Sequence, residues 1–132
     1  MRGLLAIAQA PAATGTTAVS TKVEMQWLGQ AGARIVSPGD QLIVVDPWIK
    51  GGPKAPATYK ADLVLIPIAG NFTMDPEAAA FALNTWTKPK MVIPMHYNSN
   101  PLMPGTLAEF QAAMKGSSVK IFPMTEGQTL SF

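Results

Sequence analysis

The 132 residues suffice for one domain, and 48% hydrophobic against 14% charged residues indicates a globular chain rather than a disordered one. The net charge of +2 comes from scattered lysines without a basic, aromatic-rich cluster, so no nucleic-acid partner is expected, and no apolar run reaches the roughly 20 residues that span a membrane. The absence of cysteine excludes disulfides, thiolate zinc sites and cysteine nucleophiles, and it leaves the compartment open.

Residues 1–21 are predicted to lie outside the folded domain, which we expect to span residues 22–132. Arg2 precedes a short apolar stretch, and Ala8-Gln9-Ala10 has the small-x-small form of a signal-peptidase site. Two interpretations stay open. The segment is either a disordered Ala/Thr/Gly tail or the remnant of an export signal. The second would make the protein exported or periplasmic, and the first would leave it cytoplasmic.

The first half of the chain has the pattern of three strands and a loop. In KVEMQWL, Val23, Met25 and Trp27 alternate with polar residues, which predicts a half-buried strand. Two further apolar segments flank the turn PGD and form a predicted hairpin. The Pro- and Gly-rich residues 47–60 are expected to form a loop. The strands are predicted at 23–28, 33–37 and 41–46.

The second half repeats a strand–loop–helix unit, because VLIPIAGN and MVIPMHYN are parallel phrases, each followed by a helical pattern. Two closing strands flank the turn TEG. Continuously apolar strands are typical of parallel sheets covered on both faces. The fold class is therefore α/β, of the α+β sandwich type, with sheet layers flanked by two main helices. The strands are predicted at 62–67, 90–94, 118–122 and 128–132, and the helices at 75–86 and 106–115.

Both helices carry start signals and an apolar stripe. Asp75 suits an N-cap and Pro76 a first helical position, and Thr106 with Glu109 has the spacing of a capping box. Side chains at helical spacing are expected to be buried. They are Ala78, Phe81, Ala82 and Trp86 in the first helix, and Leu107, Phe110 and Met114 in the second.

Polar residues follow the two parallel strands at the edge where such sheets bind ligands. This site edge comprises Gly70, Asn71, His96, Tyr97 and Asn98. His96 is the only histidine, and it is either a metal ligand or a packed, hydrogen-bonded residue. Asp46 ends an apolar strand and either lies near a site or starts an Asp-Pro turn. Three ligands for zinc are not evident, and no catalytic residue can be assigned.

The segments VEMQWLGQAGARIVSPGDQLIVVDPWIKGGP and ADLVLIPIAGNFTMDPEAAAFALNTWTKPKMVIPMHYNSNP resemble metallo-β-lactamase-fold, metal-dependent hydrolases of the ascorbate-6-phosphate lactonase type. The most specific phrases are GNFTMDPEAA and PMHY. The resemblance implies a zinc or manganese centre, with His96 as a ligand and Asp46 in a supporting position beneath it. Gly70 and Asn71 stand where relatives often carry a bridging acidic residue.

The family's H-x-H-x-D-H motif is missing from this chain, as if the middle had been removed near Lys60–Ala61. In the family the strand before that motif also reads like ADLVLV, so the late strand ADLVLI is expected to take its place in a truncated fold. The alternative is a deletion or mis-called gene whose product is only partly stable.

Three functions follow as hypotheses. The first is an inactive remnant of a lactonase-like hydrolase, with His96 an orphaned ligand and no firmly bound metal. The second is a working hydrolase whose metal site is completed by a second chain. The third is a non-catalytic binding or assembly module. A homo-oligomer is expected, because removing the middle would expose apolar surface, and exposed apolar patches tend to pair.

Overall fold

The computed structural model describes residues 21–47 and 60–132. The strands are β1 (Glu24–Gly29), β2 (Gly32–Val36), β3 (Leu42–Val45), β4 (Leu63–Pro67), β5 (Met91–Met95) and β6 (Lys120–Ile121), and the helices are α1 (Pro76–Ala82) and α2 (Leu107–Ala113). The six strands lie in one mixed sheet in the order β1-β2-β3-β4-β5-β6. The helices α1 and α2 follow β4 and β5, and α1 continues into a π-helical turn at Leu83–Thr87.

The direction of the strands changes in the middle of the sheet. β1, β2 and β3 pair antiparallel, whereas β3, β4, β5 and β6 pair parallel. Parallel neighbours need a crossover connection, and α1 and α2 supply the crossovers from β4 to β5 and from β5 to β6. The carboxyl ends of β3, β4 and β5 consequently meet at one edge, which is the edge that the sequence predicts to hold a site.

The core lies between the sheet and the two helices. Val44, Val64 and Val92 stand side by side on β3, β4 and β5, and none of them is solvent-exposed. They belong to one apolar cluster with Ala79 of α1 and Phe110 of α2. Packing against the helices therefore fixes which face of the sheet points inward.

The helix starts form as the sequence predicts. The Asp75 carboxylate accepts the N–H of Ala78 over 2.7 Å, and Pro76 opens α1. The Thr106 hydroxyl accepts the N–H of Glu109 over 3.2 Å, and the Glu109 carboxylate accepts the N–H of Thr106 over 2.9 Å. Each cap satisfies backbone donors that have no partner inside the helix.

The α/β class is confirmed, with six strands and two main helices. Several details differ from the prediction. The described strands form one sheet rather than separate layers, the strand at 118–122 shortens to Lys120–Ile121, and the strand at 128–132 is absent from the described residues. The turn ends at Gln128, whose N–H donates to the carbonyl oxygen of Thr125, and the chain does not rejoin the sheet. The tail and nearly all of the loop at 47–60 lie outside the described residues.

Two predicted burial patterns are wrong. Val23, Met25 and Trp27 alternate as expected but are 65%, 72% and 74% exposed, because no described element covers that end of the sheet. In α1 and the π-helical turn, Ala82 is buried as predicted, but Ala78 and Phe81 are exposed and Trp86 is only half-buried. The other residues that pack against the core here are Ala79, Ala80 and Leu83. In α2, Phe110 and Met114 are buried as predicted, and Leu107 packs partly against the core. No helix in the described ranges is long and apolar enough to cross a bilayer.

Candidate functional site

The carboxyl ends of three parallel strands place Asp46, Gly70 and His96 at one edge of the sheet. Asp46 follows β3, and its N–H donates to the carbonyl oxygen of Leu65 in β4 over 2.8 Å. His96 follows β5, whose last residue, Met95, accepts the N–H of Ile68 over 3.1 Å. These backbone bonds hold the ends of adjacent strands in register, so the loops that follow them emerge side by side.

Four residues that follow these strands have a left-handed backbone conformation. Asp46, Asn71, His96 and Asn98 have positive φ angles of 43°, 56°, 68° and 58°. This left-handed region is uncommon for residues other than glycine, and Asn, Asp and His tolerate it best. Residues in such conformations concentrate at functional sites. The turn after β5 is also closed by Ser99, whose hydroxyl donates to the carbonyl oxygen of His96.

The Asp46 carboxyl is partly buried at this edge of the sheet. Burial raises the pKa of the half-buried Asp46 carboxyl above its usual value, and the charge of His96 acts in the opposite direction. Because burial is the larger of these two effects, the pKa of the Asp46 carboxyl stays above its usual value. His96 itself is exposed at the surface.

The remaining predicted site-edge residues make structural contacts. Gly70 is buried with φ of 76°, and its N–H donates to the carbonyl oxygen of Met74 over 2.9 Å. The Asn71 amide donates to the carbonyl oxygen of Leu102 over 3.0 Å, and the Tyr97 hydroxyl donates to that of Met124 over 3.4 Å. Asn98 is exposed. Their roles at a site stay predictions.

A cavity of about 620 Å³ opens beside Asp46. Its described lining includes Asp46, Pro47 and three aromatic side chains, Phe72, Phe81 and Trp86, but not His96. The rings of Phe81 and Trp86 meet edge to face, with centroids 5.1 Å apart. Sequence reasoning missed this lining, because helical spacing assigned both aromatics to the core. The GNFTM phrase, which contains Phe72, was the available signal.

The described residues do not fit a catalytic metal centre. No group of three His, Cys, Asp or Glu side chains in residues 21–47 and 60–132 could hold a metal ion. Zinc in a hydrolase takes three protein ligands and keeps a fourth position open. His96 and Asp46 alone fall short of that requirement, so the chemistry that the resemblance implies lacks its ligands here.

Comparison with known proteins gives the site its context. No family model matches the chain. It is 76% identical over 74 residues to a UPF0173 metal-dependent hydrolase of Polynucleobacter asymbioticus, covering 56% of this chain and 26% of the relative. It is 50% identical over 74 residues to one of a Polaromonas species, covering 56% of this chain and 27% of the relative. The chain thus spans about a quarter of the length of the curated relatives it matches.

The architecture matches a solved structure over more of the chain. The structure of Igni18, a metallo hydrolase from Ignicoccus hospitalis, superposes with a TM-score of 0.62 at 25% identity, covering 83% of this chain and 52% of that one. The mixed sheet and its two helices therefore share their fold with a solved metallo hydrolase. Over 74 residues, the sequence is similar to UPF0173 metal-dependent hydrolases.

Proposed function

We propose that this chain derives from a lactonase-like, metal-dependent hydrolase and is inactive as it stands. The observation that carries the proposal is the edge after β3 and β5, where Asp46 and His96 follow their strands but no group of three metal ligands stands among the described residues. In this interpretation His96 is an orphaned ligand and Asp46 the carboxylate that lay beneath the metal.

The pairing of β3 with β4 supports the loss of a middle segment. β4 carries the phrase ADLVLI and lies parallel to β3, with Ile43, Val44 and Val45 opposite Leu63, Val64 and Leu65. This is the position that the resemblance gives to the strand before the H-x-H-x-D-H motif. In this proposal β4 replaces a strand of nearly the same sequence. The shortened chain then keeps a continuous sheet but lacks the metal ligands of the H-x-H-x-D-H motif.

A working hydrolase with a shared metal site is the alternative. His96 is exposed at an open edge, so a second chain could reach it. This alternative needs at least two further ligands from the partner, because zinc in a catalytic site takes three from protein. It therefore predicts a metal bound only by the oligomer.

Elemental analysis of the purified full chain, with assays on a lactone and a phosphodiester, tests the proposal. We expect less than stoichiometric zinc or manganese and no hydrolysis above buffer, because metal-dependent hydrolysis needs a firmly held cation. The His96→Asn variant, which keeps a residue tolerant of positive φ, should behave as the parent does.

Lys88→Asn is the matched control for that variant. Lys88 also has a positive φ, of 40°, but it precedes β5, at the opposite end from His96. A stoichiometric metal and hydrolytic activity that are both lost in His96→Asn and kept in Lys88→Asn would contradict the remnant and support the shared site.

A further inference from the structure

β1 is one of the two edge strands of the described sheet, and no described strand pairs with its outer side. It is six residues long, Glu24–Gly29, and contains no proline. The one irregularity in its described pairing is a register shift after Trp27, near its end. Native edge strands usually carry lysine, proline or a central bulge that prevents pairing with another chain. These devices are missing from the middle of β1.

The sheet face opposite the helices is apolar from β1 inward. The pairing places two rows of side chains on this face, and every member of both rows is apolar. Antiparallel strands that face water on one side carry polar residues there instead. The rows are Met25, Ile35, Ile43, Leu63 and Met91, and Trp27, Ala33, Val45, Leu65 and Ile93.

Exposure along these rows increases toward the free edge. Leu63 and Ile93 are buried, Ile35 and Val45 are half-buried, and Met25 is exposed. An apolar face that is covered at one end and open at a free strand edge indicates a partner that adds to that edge. A hydrogen bond orients the Trp27 side chain at this edge, because its indole N–H donates to the carbonyl oxygen of Gln30 over 2.9 Å.

We propose that β1 pairs antiparallel with β1 of a second copy of this chain. A two-fold axis beside Met25 sets Met25 opposite its own counterpart and Trp27 opposite Val23 of the second copy. Because antiparallel neighbours share a face, the apolar stripes of both copies then form one continuous strip.

The charges of the strand favour this self-pairing and its register. Glu24 is the only charged residue of β1, and the axis beside Met25 sets it opposite Gln26 of the second copy. A shift of the axis by one residue, to Glu24, would oppose the two carboxylates and cost energy. The net charge of +2 in 132 residues adds little repulsion between copies.

Single-cysteine variants of the full chain test both the pairing and its register. The native chain has no cysteine, so Met25→Cys can form a disulfide only with its counterpart. Directly opposed antiparallel residues have Cα atoms about 4.5–5.5 Å apart, within the range that a disulfide bridges. Gln26→Cys is the control, because in the proposed register Gln26 lies opposite Glu24 of the second copy. The two cysteines at position 26 are then not directly opposed.

We expect light scattering to show a dimer of the native chain at micromolar concentration, and mild oxidation to cross-link Met25→Cys at least about tenfold faster than Gln26→Cys. An equimolar mixture of Glu24→Cys and Gln26→Cys should cross-link to the heterodimer, since the register opposes these positions. Circular dichroism confirms folding of each variant, which the exposure of all three positions favours.

Charge variants give an independent readout. Met25→Lys and Met25→Glu should each weaken the dimer at least about tenfold by like-charge opposition, and their mixture should restore it. If light scattering shows that the native chain is a monomer at 100 µM, the proposal is overturned. This holds even if other residues of the same chain cover the apolar face beside β1. A dimer in which Met25→Cys cross-links no faster than Gln26→Cys would overturn pairing through β1.

Discussion

Gly105 donates its backbone N–H to the carbonyl oxygen of Ala69 over 2.9 Å, which ties the segment before α2 to the segment after β4. The two backbones approach so closely that a Cβ atom at position 105 would overlap the carbonyl oxygen of Ile68 and lie 2.9 Å from the carbonyl carbon of Ala69. Only glycine fits this contact, and it holds the start of α2 against the candidate edge.

Gly105→Ala is therefore expected to destabilise the fold by about 1–3 kcal/mol, the usual cost of forcing extra atoms into a packed interior. Urea unfolding followed by circular dichroism measures the change. Gly39→Ala is the control, because its Cβ would meet nothing nearer than the Ser37 hydroxyl at 3.9 Å. It should stay within about 0.5 kcal/mol of the parent. Equal effects in the two variants would show that the contact at Gly105 is not tight.

Two phenylalanines on neighbouring helices differ in their surroundings. Phe110 of α2 is fully buried in the core, whereas Phe81 of α1 is 58% exposed and lines the cavity beside Asp46. Phe110→Ala should cost about 3–5 kcal/mol, because it leaves a hole in the core. Phe81→Ala should cost much less, because most of that ring is already in water. Thermal unfolding compares them, and a larger loss for Phe81→Ala would mean that its face is covered in solution.

Asp62 joins the amino ends of three strands. Its carboxylate forms an ion pair with the Lys90 ammonium over 2.8 Å and accepts a hydrogen bond from the N–H of Leu42 over 2.9 Å. Lys90 first, and then the Leu42 N–H, hold the pKa of Asp62 below its usual value of 3.8. A group with a lowered folded pKa stabilises the fold above its unfolded pKa, and this contribution is lost as the pH falls through the folded pKa.

Asp62→Asn should therefore lower stability by about 1–2 kcal/mol at pH 7, and the difference from the parent should shrink below about pH 4. Denaturant unfolding at several pH values measures this difference. Lys90→Met should reproduce part of the loss, and Lys120→Met, at another exposed lysine, should not. A difference that stayed constant from pH 7 to pH 3 would contradict the stabilising role of the ionised carboxylate.

Thr106 caps α2, which has only seven residues. Thr106→Ala removes the hydroxyl that accepts the N–H of Glu109 and should cost about 1 kcal/mol. Thr85→Ala changes an exposed threonine in the π-helical turn and should stay within about 0.5 kcal/mol of the parent. Chemical unfolding gives both values. If Thr106→Ala were neutral, the capping box would not stabilise the helix in solution.

Local signals predicted the elements well, because their physical causes lie within a few residues of sequence. Asp75, Pro76, Thr106 and Glu109 fixed the helix starts through backbone hydrogen bonds that close within one turn. Burial was harder to predict, since spacing shows only that Phe81 and Trp86 share a side with Ala78. Whether that side meets the sheet depends on where α2 packs, which involves residues distant in the chain.

The sequence by itself determined the strand–helix order, the helix caps and the resemblance to metal-dependent hydrolases, all of which depend on local pattern or on shared phrases. It also predicted that Asp46 and His96 would each follow an apolar strand. Only the tertiary structure decided that β4 lies between β3 and β5, and that no third ligand in the described residues joins Asp46 and His96. It likewise left Val23, Met25 and Trp27 in solvent, because burial requires a covering element and alternation cannot supply one.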